Sequence, residues 1–129
     1  MFDSAGKSDW PVPIGRAWMP TAIVALDLTG GQCELVAWDK LGHPVLWMGT
    51  SGRTPPTTPS ILSFGSFTLS VTGAGTGNVQ ANLQGTLAAS QTSLLSEQAY
   101  RYQWDLFDAA TAPHPLLEGN LTASGRPLP

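Results

Sequence analysis

Along residues 100–106, Tyr100, Tyr102, Trp104 and Leu106 alternate with Arg101, Gln103 and Asp105. Residues 117–124 repeat the pattern, with Leu117, Gly119, Leu121 and Ala123 set against Glu118, Asn120, Thr122 and Ser124. A period of two sends successive side chains to opposite faces of an extended chain, so two such runs around a Pro-containing turn predict a β-hairpin with a dry face and a wet face. The wet face carries single charges and short polar groups rather than a cluster of acids, bases or metal ligands. This hairpin therefore reads as scaffold, and function is expected from a surface elsewhere.

The same reading predicts strands at about 21–28, 32–38, 44–49, 61–71, 78–84, 99–108 and 116–123, separated by turn compositions such as Thr29-Gly30-Gly31 and Asp39-Lys40-Leu41-Gly42. Residues 49–59 are too rich in Gly and Pro for regular structure, and residues 86–95 allow one short helix. About seven short strands at this spacing predict an all-β, antiparallel, Ig-like sandwich over residues 21–129. Residues 1–20 differ: Trp10-Pro11-Val12-Pro13-Ile14 and Ala17-Trp18-Met19-Pro20 join large apolar side chains to prolines that disfavour helix and sheet interiors. An extended N-terminal arm is predicted, either folded back over the domain's own edge or reaching a neighbouring subunit.

Composition narrows the function classes. Charged residues make up 12% of the chain, about half the usual share of roughly 25%, while Gly (14) and Pro (11) are plentiful. The six basic residues are scattered and the net charge is -3, so no basic stripe is available to neutralise phosphates and nucleic acid is not an expected partner. No window approaches a membrane span, and no apolar stretch near the start is long enough for a signal peptide, so a protein made in the cytosol and left unprocessed is expected. A surface so poor in charge, with five Trp and three Met, suggests assembly.

Candidate chemistry is sparse. Cys33 falls in an alternating run with Leu35 and Ala37 and reads as a small buried thiol. Gly73-Ala74-Gly75-Thr76-Gly77 lacks the lysine of a phosphate loop and leads into an alternating strand, as a hairpin loop does. His43 and His114 each precede a proline in a turn, without a carboxylate or thiol at ligand spacing. Asp105 and Asp108 flank Leu106-Phe107 and point in different directions; Asp108 suits the start of a turn. Asn120-Leu121-Thr122 matches the glycosylation sequon, which has no use without a secretory route. No enzyme activity, cofactor or metal is expected. Trp104 belongs to the dry face, whereas Trp38 falls out of phase with Cys33, Leu35 and Ala37 and should face outward with Val36. The interface candidates are Trp10, Ile14, Trp18 and Met19 of the arm, together with Trp38 and Trp47, since aromatic anchors supply much of the binding energy at interfaces.

In order along the chain, Asp27-Leu28-Thr29-Gly30, Asp39-Lys40-Leu41-Gly42-His43-Pro44-Val45-Leu46, Asn78-Val79-Gln80-Ala81-Asn82-Leu83, Tyr100-Arg101-Tyr102-Gln103-Trp104-Asp105-Leu106 and Leu116-Leu117-Glu118-Gly119-Asn120-Leu121-Thr122 resemble small β-sandwich modules of tailed bacteriophage virions. The similarity, over roughly residues 26–124, is to the N-terminal domain of baseplate upper proteins and to related Ig-like fibre or head proteins. The resemblance implies a non-enzymatic virion protein, present in several copies, with capsid or tail proteins as partners. A free-standing module with an adhesive arm suits a decoration (cement) protein on the head, or an adaptor in the tail, baseplate or fibre attachment. The alternative from another class is a carbohydrate-binding module whose exposed Trp and Tyr stack on sugar rings.

Overall fold

The computed structural model describes residues 6–56, 61–110 and 112–125. The chain is all-β: β1 (Gly6–Lys7), β2 (Trp10–Pro13), β3 (Thr21–Val24), β4 (Gln32–Trp38), β5 (Pro44–Gly49), β6 (Ser63–Thr72), β7 (Gln80–Thr86), β8 (Ala99–Phe107) and β9 (Pro113–Ser124), with one helical turn, α1 (Ala89–Thr92), between β7 and β8. The strands form one nine-stranded sheet in the order β1-β9-β8-β4-β5-β6-β7-β3, with β2 also on β9.

The alternation read from the sequence sets the inner face. Cys33, Leu35 and Ala37 on β4 and Tyr100, Tyr102, Trp104 and Leu106 on β8 are all buried, and β4 and β8 pair antiparallel with Leu35 opposite Trp104. On the other side of the core, β6 and β7 turn Phe67, Ala81 and Leu83 inward. The Phe67 ring stacks on the Trp104 indole at 4.9 Å between centroids, so the sheet curls until its two halves face each other. Offset stacking of this kind adds to the area effect of burying both rings. Gly85 sits opposite Phe67, and a Cβ at that position would lie 2.7 Å from the Phe67 ring and 2.9 Å from Met48 and Pro20 side chains. The absent side chain is what lets these groups fill the space.

Three features depart from the expected antiparallel seven-stranded sandwich. First, the sheet is mixed: β5 and β6 run parallel, as do β1 and β2 against β9. Secondly, the arm is not separate, because residues 6–13 extend the sheet. Prolines 11 and 13 are compatible with this position since a parallel edge strand uses only alternate N–H groups. Ser8 N–H donates to the Glu118 carbonyl and Ile14 N–H to the Ser124 carbonyl, so the even-numbered residues point at β9 and the prolines fall on the outward, unpaired positions. Thirdly, the hairpin phase slips. Trp104 faces Leu117 but Asp105 faces Pro115, making Leu116 an inserted residue; a bulge of this kind flips side-chain direction. Leu116 is buried in consequence, and Leu117, expected on the dry face, is only partly covered.

The turn joining β8 and β9 is built around Asp108, whose Oδ1 accepts the Ala110 and Ala112 N–H groups at 2.9 and 3.0 Å. Part of the expected irregular loop 49–59 lies outside the described residues.

Trp104 is fully buried, and truncating a buried aromatic in a packed core costs about 3–5 kcal/mol. Trp104→Ala is therefore expected to abolish cooperative unfolding or to lower the unfolding free energy by that amount, read as a lower midpoint in urea titration. An unchanged midpoint would overturn the assignment of this face as the core.

Candidate functional surfaces

The arm candidates take different positions. Trp18 is 6% exposed, and it exchanges both backbone hydrogen bonds with Leu87 at 2.9 and 2.8 Å. Trp10 is half-buried and meets Trp18 edge-on at 6.3 Å. Its indole N–H donates to the Tyr102 hydroxyl at 2.9 Å, and that hydroxyl donates to the Ser8 carbonyl at 2.6 Å. The turn at Gly15 and Arg16 is fixed by buried Thr92, which accepts from Gly15 N–H at 3.0 Å and donates to the Arg16 carbonyl at 2.8 Å. Gly119 is required where the arm passes alongside β9 between β1 and β2: its φ is +152° and a Cβ would run into the Ser8 carbonyl. Residues 6–18 thus follow the folded-back course. Ile14 is half-buried against the core, while Met19 is 58% exposed.

Burial raises the ionisation of the Tyr102 hydroxyl above its ordinary value, and the Trp10 indole N–H pulls more weakly the other way. The fold therefore favours the neutral phenol. That contribution is complete below the unfolded value of about 10 and is lost as pH rises through the higher folded value. Tyr102→Phe is expected to cost about 1–2 kcal/mol through the two lost hydrogen bonds, to speed amide exchange over residues 6–13, and to weaken the alkaline loss of stability. An unchanged urea midpoint would show that the hydroxyl does not hold the arm.

The outer face of β5, β4, β8 and β9 carries most of the strand charges. Trp47, an interface candidate, is buried there; its indole N–H donates to Glu34 Oε2 at 3.0 Å, and Arg53 reaches Glu34 Oε1 at 3.0 Å while lying 3.8 Å over the Phe107 ring. Asp105 accepts from Gln103 Nε2 at 3.1 Å, and burial raises its carboxyl above the usual carboxylate range. Trp38 does face outward as its phase predicts. It is half-buried, with the Arg101 guanidinium 5.5 Å from its ring, beside an open groove of about 460 Å³ lined also by Lys7, Gln103, Glu118 and Asn120.

The opposite outer face, on β6, β7 and β3, has another character. Its outward positions are Phe64, Ser66, Thr68, Ser70 and Thr72, then Gln80, Asn82, Gln84 and Thr86, then Thr21 and Ile23. Register places Ser66 beside Thr86, Thr68 beside Gln84 and Ser70 beside Asn82, with Thr21 beside Gln84 and Ile23 beside Asn82. None of these residues is charged, and Ile23 is 66% exposed. This face was not among the sequence candidates. Its signal was the alternation of Ser66, Thr68, Ser70 and Thr72 with Gln80, Asn82, Gln84 and Thr86, in which every polar position is neutral.

The residues with potential chemistry remain dispersed. The Cys33 thiol is buried, and that burial pushes its pKa up to about 12, against a weaker pull from the nearby Trp104 indole, which keeps it in the thiol form near neutrality. His114 Nε2 lies 3.0 Å from Asp108 Oδ2, and this hydrogen bond leads the interactions that hold the Asp108 carboxyl below its usual range. His43 Nδ1 is 3.6 Å from Asp39 Oδ2. Residues 73–77 form part of the connection between antiparallel β6 and β7. Among the described residues no group of His, Cys, Asp or Glu could hold a metal ion, and no helix is long and apolar enough to cross a membrane. No protein-family model matches the chain, and no curated protein matches it.

Proposed function

We propose that this chain is a non-enzymatic structural module of a tailed-phage virion, an Ig-like β-sandwich variant that decorates or cements the capsid surface in several copies. The observation that carries the assembly role is the uncharged outer face of β6, β7 and β3. A field of Ser, Thr, Asn and Gln with Phe64 and Ile23 at its margins offers hydrogen bonds and apolar contact without the cost of stripping water from charges. Contact through it is insensitive to salt, because screening acts on charges and the face has none.

The Ig-like reading is supported by the strand sequence β9-β8-β4-β5 on one side and β6-β7-β3 on the other. It is supported also by Tyr100 near the start of β8, whose hydroxyl accepts the Ser96 N–H at 3.0 Å and donates to the Ser96 carbonyl at 3.3 Å, as in the tyrosine corner of such sandwiches. The virion setting is supported by the ordered resemblance of the strand segments. Attachment at the tail or baseplate uses the same surface, and occupancy of separated heads and tails distinguishes the two locations.

Thr68→Arg combined with Gln84→Arg places two charges in the middle of the neutral face without touching the core. The variant is expected to keep its thermal midpoint and to lose its place on purified particles, while wild-type occupancy stays constant between about 0.05 and 0.5 M salt. Full occupancy by the folded double variant would overturn the reading.

A glycan-binding reading rests on the Trp38 groove, where one half-buried indole is surrounded by Arg101, Gln103, Glu118 and Asn120. On that reading a glycan quenches tryptophan fluorescence in the wild type and not in Trp38→Ala. Equal quenching in both would exclude the groove.

A further inference from the structure

The two ends of the sheet differ in whether they can accept another strand. At one end, β2 turns Pro11 and Pro13 outward, so the edge lacks N–H donors at those positions and resists strand addition. At the other end β3 pairs only with β7. The backbone groups of the even residues are used there: Trp18 and Leu87 exchange both bonds, and the Pro20 carbonyl accepts from Gly85 N–H at 2.7 Å. Alternation within an antiparallel ladder then directs the N–H and C=O groups of Met19, Thr21 and Ile23 away from the sheet. Pro20 does not block this edge, because its nitrogen faces β7. No described strand covers the edge, and it carries no Lys, Asp, Glu or Arg and no outward Pro, the usual protections of an exposed edge. Met19 and Ile23, two of the large exposed apolar residues, at 58% and 66%, sit on the positions whose backbone is open.

We propose that the Met19–Ile23 edge pairs with the same edge of a second copy, antiparallel about a two-fold axis at Thr21. The occupant follows from the self-complementarity of the edge. With Thr21 opposite its own copy, Met19 of each chain faces Ile23 of the other, so each apolar side chain gains an apolar cross-strand neighbour. Each outward N–H of Met19, Thr21 and Ile23 then finds a carbonyl. Charge favours the pairing as well, because a symmetric contact places every group near its own copy and like charges there would repel. The edge and the adjoining face have none. The joined sheets run β6-β7-β3 into the partner's β3-β7-β6, which doubles the uncharged face. The inference therefore deepens the assembly role proposed above and rests on it for its purpose, though not for its geometry.

The test uses purified full-length chain with no particle present. Wild type is expected to sediment as a dimer at roughly 100 μM, where a contact with Kd of about 10 μM is mostly filled. Thr21→Pro removes an N–H that points away from β7 and meets no partner among the described residues, and Ile23→Lys puts a charge beside the axis. Both are expected to keep their circular dichroism and thermal midpoint and to sediment as monomers, while Thr68→Lys, away from the edge, remains dimeric. Thr21→Cys supplies the positional readout. Cα atoms of a hydrogen-bonded antiparallel pair lie about 5.5 Å apart, inside the range a disulfide spans, so this variant is expected to cross-link on oxidation. The wild type, whose only cysteine is buried Cys33, is expected not to cross-link.

A monomeric wild type, or a dimer that survives both Thr21→Pro and Ile23→Lys, overturns the proposal. So does a wild-type monomer that loses particle occupancy on Thr21→Pro, since the edge then belongs to a strand from a different protein. A dimer that never joins particles overturns the assembly role and leaves self-pairing standing.

Discussion

The inward row of β8 is the constraint around which this structure is organised. Tyr100, Tyr102, Trp104 and Leu106 are all buried, and the three aromatics each join β8 to a different part of the chain. Trp104 stacks on Phe67 across the core and sets how far the sheet curls. Tyr102 keeps its ring inside and extends its hydroxyl to the rim, where it meets Trp10 and the Ser8 carbonyl. Tyr100 ties the entry of the strand to Ser96. Area burial supplies most of the energy, while the hydroxyls add direction, because a buried phenol left without a partner costs free energy.

The distribution of charge follows from the curl. Glu34, Arg101, Asp105 and Glu118 lie on the outer side of β4, β8 and β9, where Trp47, Arg53 and Gln103 provide partners. The outer side of β6, β7 and β3 has neutral side chains alone, mostly Ser, Thr, Asn and Gln with exposed Phe64 and Ile23. One domain thus presents two chemically different faces, and its two sheet ends also differ. The β2 end is closed by prolines, whereas the β3 end keeps open hydrogen-bonding groups beside exposed Met19 and Ile23.

Much of the core was legible in the sequence. Strict alternation at 32–38 and 100–106 identified the inward residues of β4 and β8, because a period of two is a local property of extended backbone. The coverage of Cys33 was visible in the same way, whereas the histidines, expected without a carboxylate neighbour, lie beside Asp39 and Asp108, which the turns before β5 and β9 bring to them. Phase also placed Trp38 outward and Trp104 inward. It did not reveal that Trp47 would be buried with its indole N–H on Glu34, a carboxylate that Arg53 also reaches from the loop after β5, because no periodicity records that.

By itself the sequence determined which side chains of β4 and β8 seek the core and that the fold is all-β. The tertiary structure decided parallel against antiparallel pairing, the place of the arm, the bulge at Leu116 and the edge left open. The prolines of residues 10–13 illustrate the difference. A missing N–H breaks a ladder only where that N–H would have pointed at a partner, and its direction depends on register with β9, more than a hundred residues away. Composition reports the missing donor, and the register decides whether its absence breaks a ladder or seals an edge.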